Sequence, residues 1–208
     1  PVKDGAITLN NVSARYYGSD TDEITGISFP AKKGEITAIV GGTGSGKSTI
    51  LNMIMRFYEA NSGEILIDGN PIKDIDMSQL RSNIGYAPQK AVLFSGTIGS
   101  NVGFRGASEE QILSAVKTAE ASSILEQSDE GLNSPVAQGG TNFSGGQKQR
   151  LCIARAIAVP CKIYLFDDCF SALDYKTDAM VRKNLRPIFK DAVVIIVAQR
   201  ISTVKDAD

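Results

Sequence analysis

One segment restricts the fold of this chain more than any other. Gly41-Gly42-Thr43-Gly44-Ser45-Gly46-Lys47-Ser48 matches G-x-x-x-x-G-K-[ST], and it lies between a strand-like apolar run, Glu35 to Val40, and a helix-patterned run, Thr49 to Tyr58. Strand, glycine-rich turn and helix in that order form a loop that cradles phosphate. The glycines let the backbone turn its N–H groups inward around the β- and γ-phosphates, and the helix behind them points its positive end at the same anion. Lys47 would reach the β/γ oxygens, and the Ser48 hydroxyl would ligate Mg²⁺. By itself the loop implies a bound nucleotide and leaves open what is done with it.

Composition narrows the class. A chain of 208 residues suits one large domain, and 42% hydrophobic against 22% charged residues describes a protein with ample core. With 22 basic and 23 acidic residues the net charge is −1, so there is no electrostatic footprint for nucleic acid or an anionic membrane, and no nucleic-acid partner is expected. The apolar run Val193 to Ala198 falls far short of the ~20 residues that a membrane-spanning helix needs. Cys152, Cys161 and Cys169 lack C-x-x-C spacing and the chain has no histidine, which argues against a zinc site and for buried, reduced thiols.

Along the chain, Ile7 to Leu9, Val12 to Ala14 and Ile27 to Phe29 carry strand signals, and Glu35 to Val40 reads as a buried strand feeding the loop. The helical run Thr49 to Tyr58 is closed by Asn61-Ser62-Gly63, and its Met53, Met55, Phe57 and Tyr58 are expected to be packing residues. Glu64 to Ile67 enters a turn at Asp68-Gly69, and Ile84 to Ala87 is a further short strand. From about Ser95 to Val159 the pattern is mostly helical, with Ser108 capping Glu109 to Ala119 and another helix after Ser144. Lys162 to Phe166 and Val193 to Ala198 are continuous apolar runs typical of buried parallel strands, with helical character between them from Asp178 to Leu185. The fold class is therefore α/β, with a helical insertion between the phosphate-loop half and the later strands.

Further segments, taken in order, narrow the function. Phe143-Ser144-Gly145-Gly146-Gln147-Lys148-Gln149-Arg150 offers a second phosphate grip, because Ser144 can cap a helix and bond phosphate while the glycines permit close backbone approach. Taken alone it is also a loop with a good N-cap. Lys162-Ile163-Tyr164-Leu165-Phe166-Asp167-Asp168 is an apolar strand ending in carboxylates. Together with Ser171-Ala172-Leu173-Asp174, Ala87-Pro88-Gln89 and Tyr16, these segments resemble the ATP-binding cassette (ABC) ATPases. The resemblance runs from Val12 to Asp208 and is closest to the exporter branch, through Pro88 to Ile98 and Gly131 to Gly140.

That resemblance implies a P-loop NTPase with a RecA-like parallel core sheet, an N-terminal antiparallel β subdomain and an inserted α-helical signature subdomain. The division would be 1–94 and 160–208 for core and β subdomain and 95–159 for the helical part. ATP and Mg²⁺ would be bound by Tyr16 (stacking on adenine), Gly41, Gly42, Thr43, Gly44, Ser45, Gly46, Lys47, Ser48 and Thr49. Ser48, Gln89 and Asp167 would hold the metal. Ser144, Gly145, Gly146 and Gln147 would grip an ATP in trans, Asp174 belongs to the D-loop, and Gln89 also contacts the attacking water. Implied partners are an ABC transmembrane domain, fused or associated, and a second nucleotide-binding domain, at the cytoplasmic face of the cell membrane. For Tyr16 a plain strand tyrosine is the other reading. The chain starts at Pro1 and stops at Ala207-Asp208, where family members continue with a few strands and a helix, so it reads as an excised domain.

Two positions depart from the family pattern. The glutamate that orients the attacking water is Asp168, set back by about 1.5 Å, one C–C bond. The switch histidine that senses the γ-phosphate is Gln199, an amide that donates hydrogen bonds but carries no charge. Both fall on the site expected to activate water, so Asp168, Gln199 and Gln89 are the catalytic candidates. The pair resembles the degenerate half of a heterodimeric exporter, which implies a slow ATP site here, a non-identical partner, and an intact signature that completes the partner's competent site. The alternatives are that aspartate and glutamine substitute adequately, that the chain is a soluble cassette ATPase of DNA repair, chromosome structure or translation, or that it is a regulatory domain that binds ATP without hydrolysis. The repair and chromosome types insert long coiled coils, and no sustained heptads lie between Ser48 and Ser144.

Overall fold

Alternating and continuous apolar runs alike become strands in the computed structural model, which describes residues 1–204. In chain order the elements begin β1 (Ile7–Ala14), β2 (Ile24–Ala31), β3 (Ile36–Val40), α1 (Lys47–Ile54), β4 (Ser62–Ile67), β5 (Asn70–Pro71), α2 (Met77–Ser82) and β6 (Ile84–Ala87). They continue with β7 (Gly96–Thr97), α3 (Ile98–Val102), α4 (Glu109–Thr118), α5 (Ser122–Glu126), β8 (Pro135–Val136), α6 (Gly145–Ile157), β9 (Ile163–Asp167), α7 (Tyr175–Phe189) and β10 (Val193–Ala198). Contacts divide the chain into two units, one of residues 1–84, 161–167 and 189 onward, the other of 85–160 and 168–188.

The first unit holds two sheets. The antiparallel one has the order β2-β1-β4-β5. β1 buries Ile7, Leu9, Val12 and Ala14, and that pattern is out of phase with a simple alternation. The register slips between Leu9 and Val12, where Asn11 takes φ +49°, and this bulge keeps apolar side chains inward on both sides of it. Asp68 and Gly69, both at positive φ, form the tight turn from β4 to β5.

The other sheet has the order β3-β10-β9-β6, β6 beginning in this unit at Ile84. β10 lies parallel to β3 and to β9 and is buried at every position, as a strand covered on both faces must be. β3 differs from its predicted burial: it is half-buried, with Val40 exposed, because only one of its edges carries a partner. α1 ends at Ile54 instead of Tyr58. Arg56 turns to φ +56° and the N–H of Phe57 bonds back to Asn52 O at 2.8 Å, which winds up the last turn.

The second unit is mainly helical. α6 buries Leu151, Ile153, Ala154 and Ala156 and packs on α3 and α4, whose buried faces include Val102, Ile112 and Val116. Three of its helices open with reciprocal capping boxes: Thr97 with Ser100, Ser108 with Gln111 and Ser144 with Gln147. Short elements were illegible in advance. α2 buries only Leu80, and β7–β8 is a ladder of two residue pairs, so neither leaves a periodicity to read.

Position in the sheet sets the stability expectation. Ile195→Ala, in the middle of β10, is expected to cost about 2–5 kcal/mol in urea unfolding, whereas Ile39→Ala on half-buried β3 is expected to cost less than about half as much.

Candidate functional site

β3, β10 and β9 end together, and the residues leaving their carboxyl ends define the site. Val40 pairs with Ala198 and Val197 with Asp167, so Gly41, Gln199 and Asp167 sit at neighbouring strand ends. The N–H of Gly41 donates to Ala198 O at 3.3 Å, which fixes where the loop leaves the sheet. A ligand crevice outside the carboxyl ends of parallel strands is what this topology provides.

The loop holds itself in shape around the Lys47 ammonium. Its Nζ donates to Gly41 O at 2.5 Å, Gly42 O at 2.6 Å and Ser45 Oγ at 3.2 Å, which occupies all three of its donors. Ser45 Oγ also donates to Gly42 O at 2.7 Å. Gly46, at φ +82°, opens α1, and a β-carbon there would lie 2.5 Å from Ile24 Cγ2 and 2.8 Å from Glu23 O. Only glycine fits that position. As the N-cap of α1, Gly46 supplies no side-chain acceptor, and the first turn contains no acidic residue. By contrast α2, α3, α4 and α6 are each capped by an oxygen, from Asp76, Thr97, Ser108 and Ser144. The N-terminus of α1 thus keeps its orphan N–H groups and its positive dipole end for an outside anion.

Asp167 is buried, 4% exposed, and its carboxylate is hydrogen-bonded by the Ser48 hydroxyl. Burial pushes its pKa above the ordinary carboxylate value, while the Ser48 bond and the charge of Lys47 pull the other way. Among the described residues no group of three or more Cys, Asp or Glu could hold a metal by itself. One carboxylate and one hydroxyl fit Mg²⁺ nonetheless, because that ion keeps several waters and takes its remaining ligands from substrate phosphates. Tyr16 follows β1, and its hydroxyl lies 2.6 Å from Thr49 Oγ1, in the first turn of α1.

Tyr16, the loop from Gly41 to Thr49, Asp167 and Gln199 all belong to the first unit, whereas Gln89, Ser144 to Gln147, Asp168 and Asp174 belong to the second. Asp168 takes φ +45°, and its carbonyl accepts from Ser171 Oγ at 3.1 Å. Gln89 O accepts from Gln149 Nε2 at 3.5 Å, and Gln149 Oε1 accepts from the N–H of Ala172 at 3.0 Å, so buried Gln149 ties those two segments together. Ser144 Oγ accepts from Gln147 N at 3.2 Å and keeps its own hydroxyl proton to donate. Gly145 and Gly146 lead into α6 beside Ala172. Asp174 bonds the N–H and hydroxyl of Thr177, which holds its pKa below the ordinary value.

Two expectations change. Phe57 and Tyr58 are 56% and 44% exposed, not packed like Met53 and Met55. Arg81 lies over the Phe57 ring at 4.7 Å, and the Tyr58 ring meets Tyr16 edge-on at 5.1 Å. Sequence reading missed Gln149 and Tyr58 as neighbours of the site. Gln149 had a signal, a polar residue on the apolar face of α6; Tyr58 had none. Of the cysteines, Cys152 and Cys169 are buried, Cys161 is half-buried, and none of the three forms a disulfide. The far end of the sequence resemblance, Ala207-Asp208, lies outside the described residues.

Comparison with known proteins extends the picture beyond this chain. The family profile described as "ABC transporter" matches residues 24–171. An ABC transporter ATP-binding protein of Mycobacterium tuberculosis is 44% identical over 209 residues, covering 98% of this chain and 36% of its own length. The ATP-dependent lipid A-core flippase of Pasteurella multocida is 38% identical over 207 residues, with coverage of 98% and 36%. A solved bacterial Atm1-family ABC exporter with ATP bound superposes with a TM-score of 0.94 at 36% identity, covering the whole chain and 36% of the exporter chain. The chain therefore spans about a third of the length of these relatives.

Burial of Asp167 gives the site a pH signature. A carboxyl with a raised folded-state pKa stabilises the fold when protonated, below its unfolded pKa, and that stability is lost as pH rises through the folded pKa. Asp167→Asn, measured without nucleotide or Mg²⁺, is expected to raise Tm at pH 7, with the difference shrinking as the pH falls through the carboxylate range.

Proposed function

The chain belongs to the ABC transporter family, and on that premise we propose that it is the ATP-binding, energy-coupling domain of an exporter. The carrying observation is the N-terminus of α1. It lacks a side-chain cap or first-turn acid, begins at a position that admits only glycine, and is flanked by Lys47 and by the Ser48–Asp167 pair. Such a terminus suits a polyphosphate.

In the proposed cycle, Lys47 exchanges the Gly41 and Gly42 carbonyls for phosphate oxygens, and the loop N–H groups close around the β-phosphate. Ser48 and Asp167 would hold Mg²⁺, which when bound neutralises charge on the β- and γ-phosphate oxygens. Tyr16 would stack on adenine, and Gln89 is the residue that the family resemblance assigns to the metal and the attacking water. Asp168 has a carboxylate one methylene shorter than the family's glutamate, and Gln199 offers an amide in place of an imidazole. A base misplaced by about 1 Å can lose roughly 10²-fold in rate. The site therefore holds ATP and hydrolyses it slowly.

The signature segment is otherwise. Ser144 retains a hydroxyl proton to donate, and α6 carries only a basic residue, Arg155, in its last turn and no acid in its first. Ser144 to Gln147 thus complete a faster ATP site on a second, non-identical nucleotide-binding domain. ATP-driven closure of the pair is passed to transmembrane domains at the cytoplasmic face of the membrane. Exposed Val92, Phe94 and Phe104, the two rings 5.4 Å apart, support an apolar docking surface on the second unit for that contact.

Co-assembly with the partner and steady-state ATP turnover test the reading. Ser144→Ala is expected to lower turnover by on the order of tenfold or more, through the partner's site. Asp168→Glu is expected to raise it by adding a second active site. Unchanged turnover in Ser144→Ala contradicts the complementation.

A further inference from the structure

Three links converge on Tyr16, and one of them comes from Thr49, where the phosphate loop runs into α1. Its hydroxyl makes a 2.6 Å hydrogen bond with Thr49 Oγ1, either oxygen being able to donate, and Thr49 is only 3% exposed. Its ring meets Tyr58 at 5.1 Å between centroids and 75° between planes. The N–H of the preceding Arg15 donates to Asn61 Oδ1 at 2.7 Å, while Asn61 N donates to Ser13 O at 2.9 Å. Thr49, Tyr58 and Asn61 lie on α1 or on the segment that follows it, so the helix that receives phosphate also fixes the ring.

The geometry points to Thr49 and Tyr58 as positioning residues that hold Tyr16 as a preset platform for the aromatic base of a nucleoside triphosphate. This rests on the ATP-binding reading of the site. An exposed tyrosine on a loop rotates about two side-chain torsions and must be ordered before it can stack, which subtracts from affinity. Here the hydroxyl end is pinned and one edge is packed before any ligand arrives. A single ring inclined at 75° covers at most one face of Tyr16, and the Tyr16 side chain is half-buried, not enclosed. Tyr58 itself is 44% exposed and contributes little burial, so its worth lies in orientation more than in core packing. A consequence is that base and phosphate recognition separate: loosening the platform weakens binding of the whole nucleotide but not of its polyphosphate alone.

Isothermal titration of this chain with Mg-ATP and, separately, with magnesium tripolyphosphate tests the assignment. Tyr58→Leu is expected to weaken ATP by about two- to tenfold and to leave tripolyphosphate unchanged, with Tyr58→Phe restoring the wild-type affinity. Tyr16→Phe keeps the ring and drops the Thr49 bond, and it is expected to weaken ATP by a similar factor. Equal ATP affinity in Tyr58→Leu and wild type overturns the inference, as does an equal loss of both ligands in Tyr58→Leu, which would mean a general disturbance of α1. Wild-type ATP affinity in Tyr16→Phe overturns the part assigned to Thr49. A wild-type chain that binds tripolyphosphate as tightly as ATP overturns the platform and leaves the phosphate site standing. A chain that binds neither ligand overturns both readings.

Discussion

Lys47 gathers the carbonyl oxygens of Gly41 and Gly42 and the hydroxyl of Ser45 around one ammonium, and the rest of the site is arranged about that contact. Carbonyls turned toward Lys47 commit the loop to a curvature in which Gly44 and Gly46 take positive φ, and Gly46 then starts α1 without a cap. A helix end without a cap is a cost unless something outside satisfies it. The chain caps four other helices with side-chain oxygens, so the bare end at α1 is a local choice, not a property of the whole sequence.

The same site carries a second cost in Asp167. A carboxylate at the end of a fully buried strand is poorly hydrated, and Ser48 and Lys47 offset this only in part. Orphan N–H groups, a lysine occupied by main-chain carbonyls and an under-hydrated carboxylate would each be relieved by a polyphosphate with its metal. Their convergence on the ends of β3, β9 and β10 is what supports the proposed nucleotide site. In the proposed function the groups that would turn affinity into hydrolysis are Asp168 and Gln199, the two positions at which the sequence resemblance breaks.

Much of this was legible beforehand, for identifiable reasons. The loop is fixed by residue type at each position, and β9 and β10 are continuous apolar runs that have no other home than a doubly covered sheet. Ser108 and Ser144 announce their helices because capping boxes are local chemistry. What was not legible depended on neighbours distant in sequence. The half-burial of β3 follows from its edge position, and the early end of α1 follows from Arg56 adopting a left-handed conformation. Tyr58 is near Tyr16 only because β1 and the segment after α1 are brought side by side through Asn61. An aromatic residue after an amphipathic helix looks the same whether it packs in a core or orients another ring.

The claim that the bare N-terminus of α1 is the phosphate site is most directly tested by amide chemical shifts. Titration of Mg-ATP into the ¹⁵N-labelled chain is expected to move the Gly44 to Thr49 amides saturably and together, with the effect abolished in Lys47→Ala. Shifts confined to the start of α6, or shifts at Gly44 to Thr49 that persist at the same affinity in Lys47→Ala, would contradict it.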